Sequence, residues 1–301
     1  MSQTYDLIVI GEGVSGLTCA SHATQAGLRV ATIESTLFGG LVLNVNELDG
    51  YPGHESGTDL ASQLMASNAE ADVASIQEEV TGIRPVGGSF EVTTSTGGKY
   101  GARQVVIASG AKLKKLGVPG ENEFEGRGVS SCADCDAPMY INEEAIVVGG
   151  GDSAMQEALV LAKFCSKVQI VVRGDKLRAQ KHLADEVAAN PKISIRRGAT
   201  VEAILGGQMV EKIRIRDTGG NTEDVPSAGI FAYIGLEPNT AFAPKEISRD
   251  GKDCLVTDAS CETSMKGVWA IGAVRAGYSG LLKDAVGEAQ RVAEAVAKRL
   301  A

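Results

Sequence analysis

Two segments of this 301-residue chain begin in the same way. In each, a short β-branched strand runs into a cluster of glycines and then into a helix rich in Ala and Leu. The clusters are Gly11-x-Gly13-x-x-Gly16 and Gly149-x-Gly151-x-x-Ala154. A strand, a tight turn and a helix open a βαβ unit, so we expect the α/β fold class with largely parallel sheets. The distance between the clusters is typical of two separate domains and not of a repeat array.

The first cluster has the pattern that binds the pyrophosphate of a dinucleotide. Gly11 allows the tight turn, Gly13 lets the backbone approach the phosphates, and Gly16 lets the helix pack closely. The amino end of that helix stabilises the phosphate charge. The next predicted strand ends at Glu34, whose carboxylate can accept hydrogen bonds from ribose hydroxyls. The sequence therefore predicts a dinucleotide site here.

The second cluster is followed by a strand that ends at a cation. Val172 leads into Arg173, with Arg178 a few residues further on. A carboxylate at this place would repel a 2'-phosphate, whereas an arginine can pair with one, so the pattern favours NADPH over NADH. The alternative is that both arginines are ordinary solvated charges.

One pair of cysteines has chemically meaningful spacing. Cys132 and Cys135 form a C-x-x-C motif shortly before the second βαβ unit, the context in which such a pair is a redox dithiol. The arrangement makes a thiolate nucleophile available. The adjacent Asp136 can donate a proton to a departing thiolate if burial favours its protonated form. Half of a zinc site is the alternative, but no second pair exists and the three histidines are scattered, so we predict no metal.

Composition and charge exclude several classes of protein. The net charge of -9 argues against nucleic-acid binding, which normally needs a basic face. No apolar run approaches the roughly 18 to 20 residues of a membrane span. The first residues contain no export signal, so we predict a cytoplasmic location without membrane contact.

The order of these and other blocks resembles the low-molecular-weight, bacterial-type thioredoxin reductase family along essentially the whole chain. Besides the two glycine clusters and the cysteine pair with Asp136, the matching blocks are Gly39-Gly40 with Tyr51-Pro52-Gly53, Ala108-Ser109-Gly110-Ala111 leading to Pro119-Gly120-Glu121, Ile234-Gly235-Leu236-Glu237-Pro238-Asn239-Thr240, and Gly267-Val268-Trp269-Ala270-Ile271-Gly272.

The resemblance implies two Rossmann-like dinucleotide-binding domains. An FAD domain would comprise residues 1–111 and 242–301, and an inserted pyridine-nucleotide domain, residues 112–241, would carry the cysteine pair. Electrons would pass from NADPH to FAD and then to Cys135, the flavin-proximal sulfur. Cys132 would then attack the disulfide of thioredoxin or another small dithiol protein, with Asp136 as the acid. The usual unit is a homodimer.

The resemblance also implies the residues that hold the cofactors. For FAD they are Gly11, Gly13, Val14, Ser15, Gly16, Glu34, Gly39, Gly40, Leu41, Asn46, Ser109, Gly110, Gly272, Ala273 and Leu281. For the nicotinamide nucleotide they are Gly151, Asp152, Ser153, Arg173 and Arg178.

Several departures from the family pattern fall at these contacts. Ala273 stands where the family has an Asp that bonds the FAD ribityl chain, and Leu41 replaces a Gln. The family's Arg-Gln-Ala at the start of the last helix reads Gly280-Leu281-Leu282. The His-Arg-Arg that grips the NADPH phosphate reads Val172-Arg173-Gly174. The flavin surroundings are thus more apolar, and fewer cationic side chains are left to bind the NADPH phosphate.

Three functional hypotheses follow. The first is an NADPH-dependent reductase of thioredoxin or a similar dithiol protein. The second keeps the flavin and the dithiol but changes the electron route: a dithiol oxidase that uses oxygen, or a reductase supplied by ferredoxin or NADH. The third is a flavin-containing redox sensor or binding module without turnover, against which the intact Cys132-x-x-Cys135-Asp136 motif argues.

Overall fold

A computed structural model describes residues 4–45, 48, 53 and 55–301. Its strands and α-helices, in chain order, are β1 Thr4–Ile10, α1 Val14–Gln25, β2 Val30–Glu34, α2 Gly57–Glu70, β3 Ala74–Gln77, β4 Val80–Val86, β5 Ser89–Thr94, β6 Lys99–Ile107, β7 Ala111–Leu113, β8 Val129–Ser130, α3 Ala133–Asp136, β9 Glu144–Val148, α4 Asp152–Phe164, β10 Lys167–Val172, α5 Lys181–Ala189, β11 Ile193–Arg197, β12 Ala199–Gly206, β13 Val210–Asp217, β14 Thr222–Pro226, β15 Gly229–Ala232, β16 Leu236–Pro238, β17 Val268–Ala270 and α6 Leu282–Leu300. Short 3-10 helices cover Gly40–Asn44, Ala137–Tyr140 and Gly272–Val274.

The chain divides into two compact units. One comprises Met1–Lys112 and Glu237–Ala301, and the other is Leu113–Leu236. The chain passes from one unit to the other within the short strands β7 and β16. These two strands pair with each other. No helix in the described ranges is both long and apolar enough to cross a bilayer.

The first unit is built on a seven-stranded sheet with the order β3-β2-β1-β6-β5-β4, in which β17 also pairs with β6. The β3-β2-β1-β6-β17 part is parallel, and β4, β5 and β6 are antiparallel. Alternate residues of β1 enter different cores: Leu7 packs with α1 and α6, and Ile8 packs on the other face. Because β1 is covered on both faces, its sequence is a nearly continuous apolar run.

The last helix lies on this sheet with one apolar face. The residues that α6 buries with apolar side chains are Ala285, Ala289, Val292, Ala293 and Val296. Their spacing of three and four residues makes one stripe along the helix, and the stripe packs against the side of the sheet that holds Leu7.

The second unit has a parallel sheet with the order β11-β10-β9-β15-β8 and a separate antiparallel sheet β12-β13-β14. In both units a central strand ends just before a glycine cluster and a helix begins just after it: β1 precedes α1, and β9 precedes α4. The predicted βαβ openings and the α/β class are therefore confirmed. Both glycine clusters lie at the carboxyl ends of parallel strands, where α/β sheets bind ligands.

The chain passes from the second unit back to the first between Leu236 and Glu237. The reason is a set of hydrogen bonds to Asn239. Its backbone N–H donates to Gly110 O (3.0 Å), its side-chain amide donates to Ser109 O (2.9 Å), and the Ser109 hydroxyl donates to Asn239 O (2.7 Å). These bonds tie residue 239 to the first unit.

Candidate functional site

Cys132 and Cys135 are joined by a disulfide at the start of α3. The Cys135 N–H donates to the Cys132 sulfur at 3.2 Å. Cys132 is buried, with 7 % of its surface exposed, whereas Cys135 is exposed. The two sulfurs of the oxidised pair therefore differ in their access to solvent.

Asp136 is linked to the cysteine segment through a serine that the sequence analysis missed. The Ser130 hydroxyl donates to Asp136 Oδ2 at 2.5 Å and accepts from the Cys132 N–H at 3.1 Å. The Asp136 N–H donates to Cys132 O at 3.1 Å. The half-buried Asp136 carboxyl is thus tied through Ser130 to the backbone of Cys132. Its role as the acid stays a prediction.

The first glycine cluster contains two glycines that the fold requires. Gly11 has a φ of 105°, and a Cβ there would lie 2.4 Å from Ala108 O. A Cβ at Gly16 would lie 1.9 Å from Gly11 O. Both positions exclude a side chain because backbone atoms occupy the space.

Gly13 is different, because no neighbour among the described residues requires a glycine there. Its φ is -74°, and a Cβ would meet only Gly39 O, at 3.8 Å. The open space at the amino end of α1 fits the pyrophosphate of a bound dinucleotide, which a Cβ would obstruct. The residues present therefore fit FAD.

Glu34 is fixed against this cluster. Its carboxylate accepts from the backbone N–H groups of Glu12 (3.0 Å), Ser35 (2.9 Å) and Thr36 (3.0 Å). Glu12, which the sequence analysis did not single out, is 2 % exposed and accepts from the hydroxyls of Thr32 (2.6 Å) and Ser75 (2.7 Å). Both acids hold the end of β2 beside the glycine turn.

Several of the other predicted FAD residues lie next to this turn. Gly39 forms a bridge with Gly13, and its N–H donates to Glu12 O at 2.7 Å. A Cβ at Gly272 would lie 2.5 Å from the hydroxyl of the buried Ser15. The Gly272 N–H also donates to the buried Glu288 carboxylate at 2.9 Å, a contact that the sequence pattern did not reveal.

The remaining predicted FAD residues have these positions. Val14 is buried in α1, Ser109 and Gly110 follow β6 and contact Asn239, Gly40 begins the 3-10 helix Gly40–Asn44, and Ala273 follows Gly272. Leu41 and Leu281 are 36 % and 50 % exposed. The neighbouring Leu282 packs with Val14 and Val42 in one apolar cluster. Asn46 and the Tyr51-Pro52 part of a matching block lie outside the described residues.

The second glycine cluster also contains one glycine that the fold requires and one that has free space around it. A Cβ at Gly149, whose φ is 147°, would lie 2.3 Å from Tyr233 O. Gly151 has a φ of -103°, and no atom of the described part of the chain lies within 4 Å of its Cβ position. The open space again fits a dinucleotide phosphate at the amino end of a helix.

Asp152 fixes the loop that carries the predicted phosphate-binding arginine Arg178. Its carboxylate accepts from the backbone N–H (2.7 Å) and the side-chain amide (2.9 Å) of Gln180, and these bonds lower its pKa. The Arg178 N–H donates to Gly150 O at 2.7 Å. Arg173 and Arg178 both have exposed side chains, as does Ser153. Asp152 therefore positions the loop, a role that its place in the motif alone did not indicate.

Replacing Arg173 with Glu is expected to raise the KM for NADPH about tenfold or more and the KM for NADH far less. Arginine pairs with a 2'-phosphate, which a carboxylate repels and which NADH lacks. Steady-state kinetics with both nucleotides measures the difference. The control is Lys212→Glu, which reverses an exposed charge on β13. Equal increases in the KM for NADPH and for NADH would contradict the assignment of Arg173 to the 2'-phosphate.

Comparison with known proteins agrees with this arrangement. The sequence profile of the family described as pyridine nucleotide-disulphide oxidoreductase matches residues 5–295. The thioredoxin reductase of Treponema pallidum is 39 % identical over 280 residues, which cover 92 % of this chain and 91 % of the relative. The structure of Lactococcus lactis thioredoxin reductase superimposes with a TM-score of 0.91 at 32 % identity and covers 98 % of each chain. For the T. acidophilum thioredoxin reductase the TM-score is 0.90 at 27 % identity, with 99 % of each chain covered.

The chain belongs to the pyridine nucleotide-disulphide oxidoreductase family. It is a flavin-dependent thiol-disulfide oxidoreductase whose relatives are thioredoxin reductases, so the predicted resemblance, fold and enzyme class are confirmed. Thioredoxin reductases of this family use FAD and NADPH.

Proposed function

We propose that this enzyme reduces the disulfide of thioredoxin, or of a similar small dithiol protein, with electrons from NADPH. The observation that carries the proposal is the combination of a closed Cys132–Cys135 disulfide with two glycine clusters whose central glycines leave space for phosphates. The thioredoxin reductases found among its relatives support the choice of partner.

The described residues have separate tasks in this proposal. Gly13, Glu34 and Gly272 would hold FAD, and Gly151, Arg173 and Arg178 would hold NADPH. Bound FAD supplies the transfer of two electrons from the nicotinamide to the protein disulfide, which becomes a dithiol when two protons are added. One thiolate of the dithiol then attacks the partner disulfide, and the second cysteine resolves the mixed disulfide, which releases the reduced partner.

The acid that protonates the departing thiolate is Asp136. The Asp136→Asn variant is expected to reduce thioredoxin about a hundredfold more slowly, because an amide cannot donate this proton, while flavin reduction by NADPH keeps its rate. Stopped-flow measurement of the two half-reactions separates these effects. The Ser130→Ala control retains the Asp136 carboxyl but removes its hydroxyl partner. We expect it to slow thioredoxin reduction less than Asp136→Asn does. An unchanged rate of thioredoxin reduction in Asp136→Asn would exclude the residue as the acid.

The direct test of the proposal measures NADPH oxidation with and without oxidised thioredoxin while oxygen is monitored. Thioredoxin-dependent NADPH oxidation without matching oxygen uptake is the expected result. Oxygen consumption driven by a dithiol, without a need for NADPH, would instead identify the oxidase.

We also propose that the enzyme acts as a homodimer in the cytoplasm. The resemblance to the family supports this proposal. Light scattering of the purified flavoprotein should give the mass of two chains, and the mass of one chain would contradict it.

A further inference from the structure

The backbone amide between the redox cysteines is held by two side chains from distant parts of the second unit. The buried Ala133 N–H donates to Glu157 Oε2 at 2.9 Å and to the Tyr233 hydroxyl oxygen at 3.1 Å. Glu157 lies on α4, and Tyr233, which is 9 % exposed, follows β15. Neither residue belongs to the cysteine motif or to the predicted cofactor sites.

The two side chains form a connected acid–phenol pair. Burial raises the pKa of Glu157, while hydrogen bonds from Tyr233 and from the backbone amides of Ala133 and Asp134 act in the opposite direction. Burial and the negative charge of Glu157 both raise the pKa of Tyr233. Tyr233 therefore remains a phenol that donates to the carboxylate.

This pair occupies an amide donor at the start of α3, between the two cysteines. When the disulfide is reduced, a thiolate at Cys132 is stabilised by neighbouring N–H groups and opposed by negative charge. The Cys135 N–H already points to the Cys132 sulfur, but the Ala133 amide bonds to Glu157. The other titratable side chains of Ala133–Tyr140 are two acids and a phenol, Asp134, Asp136 and Tyr140, and the one cation of α4, Lys163, lies in the last turn of that helix.

We propose that Glu157 and Tyr233 are positioning residues that keep the dithiol strongly reducing. They occupy the Ala133 amide and place a carboxylate at the start of α3, which disfavours the reduced pair and lowers its reduction potential. The inference rests on the proposed function only in assuming that the Cys132–Cys135 disulfide is reduced and formed again during the reaction.

The same pair connects the cysteine segment to the glycine cluster of its own unit. The Tyr233 N–H donates to Val148 O at 2.7 Å, and Tyr233 O lies against Gly149. Glu157 lies on α4, the helix that begins at Asp152. One rigid set of contacts therefore sets the position of the dithiol relative to the proposed nucleotide loop within this unit.

The test is the reduction potential of the dithiol in the flavin-loaded protein. Glu157→Gln retains an oxygen acceptor for the Ala133 amide but removes the charge. We expect the equilibrium with glutathione to shift threefold to tenfold toward the dithiol, and tenfold corresponds to a potential about 30 mV higher. Tyr233→Phe should shift it in the same direction by a smaller factor. The control Glu186→Gln, an exposed carboxylate of α5, should match the wild type.

The outcomes separate this inference from the proposed function. Equilibration with glutathione, read by thiol labelling, needs neither NADPH nor thioredoxin. It therefore reports on the dithiol even if those partners prove wrong. Flavin absorbance and the melting temperature establish that each variant is folded, and Tyr233→Phe carries the test if Glu157→Gln does not fold. Wild-type potentials in the folded variants would overturn the proposal.

Discussion

The Cys135→Ser variant is expected to lose disulfide reductase activity by about a thousandfold or more while it retains its flavin. A serine can neither close the disulfide that accepts the electrons nor exchange with a partner disulfide. Residual activity would come only from slow uncatalysed exchange by the remaining thiol. A thioredoxin-dependent assay measures the loss, and the flavin absorbance measures retention of the cofactor.

The control for this prediction is Cys254→Ser, which changes a half-buried cysteine of the other unit and should leave the activity nearly unchanged. Cys132→Ser should be as inactive as Cys135→Ser. An active Cys135→Ser variant would remove the dithiol from the reaction.

The two cysteine variants also identify the attacking sulfur. The family resemblance assigns the attack to Cys132, whose surface is 7 % exposed in the oxidised pair, whereas Cys135 is exposed. Cys132 must therefore become accessible after reduction. If the assignment is right, Cys135→Ser accumulates a mixed disulfide with thioredoxin and Cys132→Ser does not. The reverse pattern would assign the attack to Cys135.

The Gly13→Ala variant is expected to bind FAD roughly a hundredfold more weakly, although its apoprotein is as stable as the wild type. A hundredfold loss corresponds to about 2.8 kcal/mol of binding free energy. The physical reason is that, among the residues the structure describes, the added methyl group meets only Gly39 O at 3.8 Å, but it occupies the space of the pyrophosphate. Flavin titration of the apoprotein and its thermal unfolding measure the two quantities.

Gly16→Ala provides the contrast, because its Cβ would lie 1.9 Å from Gly11 O. It should lower the free energy of unfolding by about 3 kcal/mol even without FAD. Gly251→Ala, at a position with open space around it, is the matched control and should change neither stability nor flavin affinity. Wild-type FAD affinity in Gly13→Ala would contradict a dinucleotide site at this cluster.

The features that were predictable from the sequence are local in the chain. A glycine cluster between a strand and a helix is encoded within about twenty residues, and so is a C-x-x-C motif, because turn geometry and ring closure depend on neighbours. The apolar stripe of α6 is likewise a property of one segment. These patterns were sufficient for the fold class, the two dinucleotide openings and the redox pair.

The features that sequence reasoning missed depend on contacts between distant segments. Glu157 and Tyr233 reach Ala133 over separations of 24 and 100 residues, and no periodicity or spacing encodes such a contact. Glu288 likewise meets Gly272 only because α6 returns to the first sheet. Ser130 is closer in sequence to Asp136, but its role follows from the path of β8 and α3, which became known only with the structure.

The most direct test of the account is an anaerobic titration of the flavin-loaded enzyme with NADPH and, separately, with NADH while the flavin absorbance is followed. The expected results are rapid bleaching of the flavin band by NADPH, slower bleaching by NADH, and recovery of the band on addition of oxidised thioredoxin. A flavin band that neither nucleotide bleaches, but that is bleached by a dithiol or by reduced ferredoxin, would contradict the proposed function.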